Sequence, residues 1–425
     1  MKNQTNQIPA LLSMSQKIFI IIIGVLALLV ISLFGAAFFI ARDTGVPTAE
    51  VLRDILPFGG GGAETPVGGV RAPFSGEPGA TDTLVRTPEG ALLNQVTSEP
   101  IGGATVYMLP TDKTTRVLYV EKATGNIFSY HPQTGVVQRI TNTTIPGIQE
   151  VVWGKDRVLL RYLDENNVIK SWSGILTSTM IENGSAQRLE GVFLPDDIQS
   201  VVSSPNKSQI FYLALSQSSV VGTTASFGGE GKKQVFESTF TEWNPQWSGE
   251  RNIALTSKPS AGVSGYLFSL NIITGAFNKI LGNPPGLVTK TSSGENYIAF
   301  SVNDKNENPQ LHVYNKKNDS SLVVPLATFP DKCAWSSAGE ETLYCGVPDS
   351  FLTADYPDSW YQGATSFSDS LWKASAVSGA TEILAVPTEV VQKELDVLNP
   401  FLDKDEDYLF FTNKKDSTLW SLKLQ

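Results

Sequence analysis

A short strand–turn–strand unit recurs along most of this 425-residue chain, and it constrains the fold more than any other feature. Its clearest copy, residues 288–300, reads Val-Thr-Lys-Thr-Ser-Ser-Gly-Glu-Asn-Tyr-Ile-Ala-Phe. That is an inner strand, a polar turn through Ser292, Ser293 and Gly294, and a second strand of aromatic and aliphatic residues. Looser copies occupy residues 151–160, 201–212, 245–255 and 333–339. Such units must stack on one another to bury their apolar faces, as they do in propellers and solenoids. Anchoring each copy at its turn marks Pro110, Trp153, Ser203, Trp247, Ser292, Ser336 and Leu402. The steps between anchors are roughly 43–50 residues, with a last one of about 66, against the 40–50 of a four-stranded blade. The sequence therefore predicts an all-β, seven-bladed β-propeller over residues 91–425.

A second signal follows later in each unit. Gly135, Gly275 and Gly379 each come after an apolar strand, and Asn315 to Asp319 fills the same place in the fifth unit. Glycine supplies the positive backbone angle that a tight outer hairpin needs. The last unit ends at Gln425 one strand short, while residues 92–109 hold spare strand material. Pairing an N-terminal strand with the last blade would remove an open sheet edge, and that closure is expected.

Cys333 and Cys345 are the two cysteines, each six positions from Gly339. A hairpin centred there sets them opposite one another, on one face with Trp335 and Leu343. Two readings stay open: a cross-strand disulfide suited to an oxidising compartment, or two small buried hydrophobes. With His131 and His312 in separate repeats, no four-ligand zinc set emerges. The alternating Asp403, Asp405 and Asp407 hint at calcium, but Tyr408 stands where a calcium loop needs glycine. A solvated acidic turn is the better reading, and neither metal nor cofactor is expected.

Residues 18–41 contain no charged side chain. As a helix they would rise roughly 36 Å, enough to cross a hydrocarbon layer of about 30 Å. A cleaved secretory signal has a shorter apolar core, about 7–15 residues, so an uncleaved single-pass anchor is expected. It would follow a short cytoplasmic N-terminus, residues 1–17. Residues 42–90 form the juxtamembrane segment and linker. In it Thr48 is placed to cap a short helix that Pro57 ends, and the four glycines from Gly59 to Gly62 open a flexible tether. A propeller with a potential disulfide fits the extracytoplasmic side. The net charge is −10, and since Lys2, Lys17, Arg42 and Arg53 against Asp43, Glu50 and Asp54 leave +1 up to residue 57, the remainder carries −11. An acidic domain without a basic run excludes nucleic acid as a partner.

The turns Trp335-Ser336-Ser337-Ala338-Gly339, Trp247-Ser248-Gly249 and Thr291-Ser292-Ser293-Gly294, with Thr134-Gly135 and Thr274-Gly275, resemble those of TolB-like and related WD-repeat-like bacterial propellers. The resemblance spans about residues 90–425. It implies a bacterial cell-envelope protein and is one of fold, not of activity.

The sixth unit carries about twenty extra residues between Cys345 and Leu371. They include Phe351, Tyr356, Trp360, Tyr361 and Phe367, large rings of the kind that anchor a protein partner or stack on a sugar. The competing reading is that the loop folds back and covers its own blade. The excursion 217–233 in the third unit, rich in Ser, Gly and Thr, is expected to be a flexible loop. No hydrolase elbow, phosphate-binding glycine loop or paired histidine nucleophile is present. The expectation is a membrane-tethered module or scaffold that binds an envelope protein or glycan and is not an enzyme. The alternative is a glycosidase or lyase that uses carboxylates in the propeller channel.

Overall fold

The computed structural model describes residues 92–424 apart from 112, 183–185 and 306. The membrane-span, juxtamembrane-helix and tether expectations lie outside the described residues. Among the described residues, no helix is long and apolar enough to cross a membrane.

Seven four-stranded antiparallel sheets follow one another along the chain. Each runs from an inner strand to an outer strand, and all seven anchors fall at the end of an inner strand or just beyond it. Six sheets are built from consecutive strands. The seventh combines Val397–Leu402, Tyr408–Asn413 and Leu419–Lys423 with the N-terminal strand Leu93–Gln95. Leu93 sits opposite Leu422 and Gln95 opposite Trp420. The predicted closure is thus made by the first strand described.

The sheets are buried on both faces, which explains the near-continuous apolar runs of the second strands. In Val158-Leu159-Leu160, the outer two side chains pack against the first blade, and Leu159 packs toward the third. The core consequently forms as seams between neighbouring sheets. The last seam joins Phe410 and Leu419 to Ile101, Val117 and Tyr130 and so completes the ring.

The outer hairpins turn where predicted, with positive φ at Gly135, Gly275, Gly379 and Asp319. Gly294 serves a different need. A Cβ there would meet the carboxylate of Glu340 from the next blade, which also accepts from Asn296 Nδ2 at 2.7 Å. Glu406 repeats the link one blade on, taking Ser336 Oγ at 2.6 Å and the N–H groups of Ser337 and Ala338. Glu406 therefore has a structural task within the acidic run. Asp403 is buried instead of solvated, and its carboxylate accepts from the Tyr408 N–H at 2.8 Å.

Cys333 and Cys345 face each other in register and are joined as a disulfide inside the seam between the fifth and sixth blades. The excursion 217–233 is not a flexible loop, because Ser219–Ser226 and Lys233–Ser238 are the third and fourth strands of its blade. Its small residues have a packing reason. A Cβ on Gly222 would collide with the ring of Phe211 and the Cβ of Phe236.

Candidate functional site

The sixth blade departs from the repeat between its second strand, Thr342–Pro348, and its third, Asp369–Ser375. Residues 349–368 leave the sheet on the face that also carries the inter-blade connectors. They form a docked platform containing one short helix, Asp358–Tyr361.

The aromatic residues of this insertion divide by burial. Trp360 is 0% exposed, Tyr356 1% and Phe367 4%, whereas Tyr361 is 40% exposed. Phe329, from the preceding connector, stacks on Trp360 at 5.2 Å, and Phe351 packs against Phe367 at 5.1 Å and Tyr356 at 5.3 Å. Val288, from the fifth inner strand, completes this cluster. Of the five rings proposed as partner anchors, Trp360, Tyr356 and Phe367 are interior residues and Phe351 is half-buried. Tyr361 alone presents a large surface to solvent. Beside it Leu352 is 68% exposed.

A charged network beneath the rings fixes the platform. Lys332 is wholly buried, with Nζ 2.6 Å from Asp369 Oδ2 and 2.5 Å from Asp396 Oδ1. Its ammonium lies 4.9 Å from the Trp360 ring centre and 5.2 Å from that of Phe367. Asp396 also receives the Trp360 indole N–H at 3.1 Å, the Ser366 hydroxyl at 3.1 Å and the Phe367 N–H at 3.1 Å. Further bonds tie the platform to other blades. Asn303 donates to the Tyr356 carbonyl at 2.9 Å, Ala261 N–H to Asp358 at 2.6 Å, and the Tyr361 hydroxyl to Asp331.

Two carboxylates share one ammonium in this dry site. Burial is the main cause that pushes Asp369 up to about 6; Lys332 opposes the shift and Asp396 adds to it. The folded chain then holds a proton on Asp369 that the unfolded chain releases near pH 4. Between about pH 4 and 6 the folded state binds more protons, so stability falls as pH rises through that interval. The expected loss is about 3 kcal/mol at most. Chemical denaturation at pH 4, 5, 6 and 7 reads it, with Lys332, Asp396 and Lys414 as the charged groups facing the site. Asp369→Asn should flatten the dependence, and an unchanged slope in that variant would refute the assignment.

Sequence reasoning did not single out Phe329, Lys332, Asp369 or Asp396. A faint signal existed. Asp396 stands between the apolar Leu395 and Val397, and Lys332 follows Asp331 between Phe329-Pro330 and Cys333-Ala334, where a charge that turns inward needs a buried partner.

Next to the platform lies a cavity of about 640 Å³ at the tips of the fourth, fifth and sixth blades. Asp304, Glu307, Asp355 and Asp358 line it. Among the described residues, no group of His, Cys, Asp or Glu is arranged to hold a metal ion.

No protein-family model and no curated protein matches the sequence. Solved structures do. An oligogalacturonate lyase from Vibrio parahaemolyticus superposes with a TM-score of 0.53 at 9% identity, covering 81% of this chain and 99% of its own. An oligogalacturonate lyase in complex with manganese gives 0.49 at 9% identity, over 79% and 98%. TolB from Acinetobacter baumannii gives 0.40 at 11% identity, over 75% and 79%. The expectation that this chain is not an enzyme is therefore corrected: the Vibrio parahaemolyticus lyase shares this architecture, and a missing catalytic motif is no ground for excluding an activity. What the likeness to the Vibrio parahaemolyticus protein shows for the chain is its β-propeller fold alone.

Proposed function

We propose that this chain is a membrane-tethered extracytoplasmic β-propeller whose blade-six platform docks a protein of the cell envelope. The observation that carries the reading is the platform itself. Ordering some twenty loop residues costs on the order of 1–2 kcal/mol each, and a buried ring cluster with an ion network offsets that cost. A loop that served only to cover its blade would have no need to hold Leu352 and Tyr361 out to solvent. A rigid surface with an aromatic and an aliphatic tip suits a protein contact, because little freedom is lost on binding. The apolar residues 18–41 and the glycine-rich linker would supply anchor and reach.

The test is a photo-crosslinking amino acid placed at Tyr361, at Leu352, or at Ile273 on the opposite face, in the full chain within intact cells. Positions 361 and 352 should yield discrete adducts that 273 does not. Tyr361→Ala should abolish the adduct from 352 while lowering stability by about 1 kcal/mol or less. Equal labelling from all three sites, or adducts that survive Tyr361→Ala, would sink the proposal. Protease added outside the cells should also cleave the linker if the propeller is extracytoplasmic.

The cavity beside the platform favours a second reading, a glycan-cleaving enzyme, since carboxylates supply general acids and bases. Four carboxylates would repel a polyuronate, so the substrate would be a neutral glycan. New reducing or unsaturated ends after incubating the chain with neutral cell-wall glycans would favour this reading over the first.

A further inference from the structure

On the face opposite the platform, the turns of the first three blades enclose a second cavity of about 530 Å³, within the size range of small-molecule sites. Its charge runs against that of the chain. Among the described residues lining it, Lys155, Arg157 and Lys207 stand against one carboxylate, Asp156. No ion pair among the described residues reaches any of these three cations. Lys207 extends past the second blade and donates to a neutral acceptor, Thr105 Oγ1, at 2.9 Å. Burial holds its ammonium below the usual lysine range. Glu182 and Glu230 flank the region, but each already accepts from a hydroxyl, that of Thr111 or Ser226.

Two further donors are buried with no acceptor: the indole N–H of Trp153, a side chain 8% exposed, and Nη1 of Arg157. Folded proteins rarely leave such groups unpaired. The rest of the wall is largely apolar, with Met108, Leu118 and Leu176. Glu230 attracts Arg157 without a close ion pair, and unsatisfied donors with an excess of cations beside an apolar wall fit an amphipathic anion. We propose that this cavity binds a small organic anion, with a carboxylate or phosphate head on Lys207, Arg157 and the Trp153 N–H, and an apolar body against Leu118 and Leu176. The site is independent of the platform.

Titration calorimetry on the full chain in detergent tests it, with phenyl phosphate, benzoate and neutral benzyl alcohol as probes. At least one of the two anions should bind about tenfold or more tightly than benzyl alcohol, and their order tells which head the site prefers. Lys207→Gln and Arg157→Gln should each weaken that anion about tenfold without moving the thermal midpoint. Trp153→Phe, which removes only the N–H, should weaken it about fivefold. Lys317→Gln, in another cavity on the same face, should change nothing. Should Arg157→Gln fail to fold, Lys207→Gln decides alone. Equal affinity for the neutral probe, no binding of either anion, or full binding by Lys207→Gln would overturn the proposal.

Discussion

Lys332→Met is expected to lower the unfolding free energy by about 3–5 kcal/mol, because it strands two buried carboxylates without their cation. Asp369 and Asp396 are both fully buried against Lys332, so solvent cannot take over the role of the ammonium. The effect should concentrate on the blade-six platform, whose Trp360, Ser366 and Phe367 all bond to Asp396. Hydrogen exchange across residues 349–368 should rise first, followed by a lower midpoint in denaturant. Lys415→Met is the control. Its pair with Glu394 is 2.6 Å long but exposed to solvent, which screens it, so this variant should leave the midpoint nearly unchanged. Similar losses in the two variants would mean that the buried network does not hold the platform.

Removing residues 1–97 should have an effect at least as large. It takes away Leu93, 1% exposed, and Val96, 6% exposed, together with the ladder that pairs Leu93–Gln95 to Leu419–Lys423. Burial of the two side chains alone contributes about 3–6 kcal/mol. The third strand of the seventh blade would become an open edge, a template for pairing with other chains. The expected readouts are a large drop in thermal midpoint and concentration-dependent assembly by light scattering. Leu93→Ala, which keeps the backbone ladder, should lose about 2–5 kcal/mol and stay monodisperse. A truncated chain that melts like the intact one would show that closure contributes little.

The parts of this fold that were legible in the sequence are those written over short distances. Turn glycines, apolar runs of strand length and the Cys333–Cys345 register about Gly339 all depend on residues within a dozen positions of each other. Even the long-range pairing of Leu93 with Leu422 left a trace, a last repeat one strand short. The excursion 217–233 misled for a physical reason: its small residues look like a loop in composition, yet Gly222 lies in a strand where the ring of Phe211 and the Cβ of Phe236 leave no room for a side chain.

The sequence by itself determined the number of blades, their order and how the ring closes, since each sheet is assembled almost wholly from strands that are neighbours along the chain. Only the tertiary structure decided the fate of the blade-six rings. Whether Trp360 faces solvent or interior depends on Phe329, Lys332 and Asp396, which the ring brings to it from other connectors, and a loop's own residues encode no such meeting. The same holds for the cationic cavity, whose Lys207 meets Thr105 from 102 residues away. Local order follows from local pattern, whereas burial and electrostatics follow from what the closed ring places side by side.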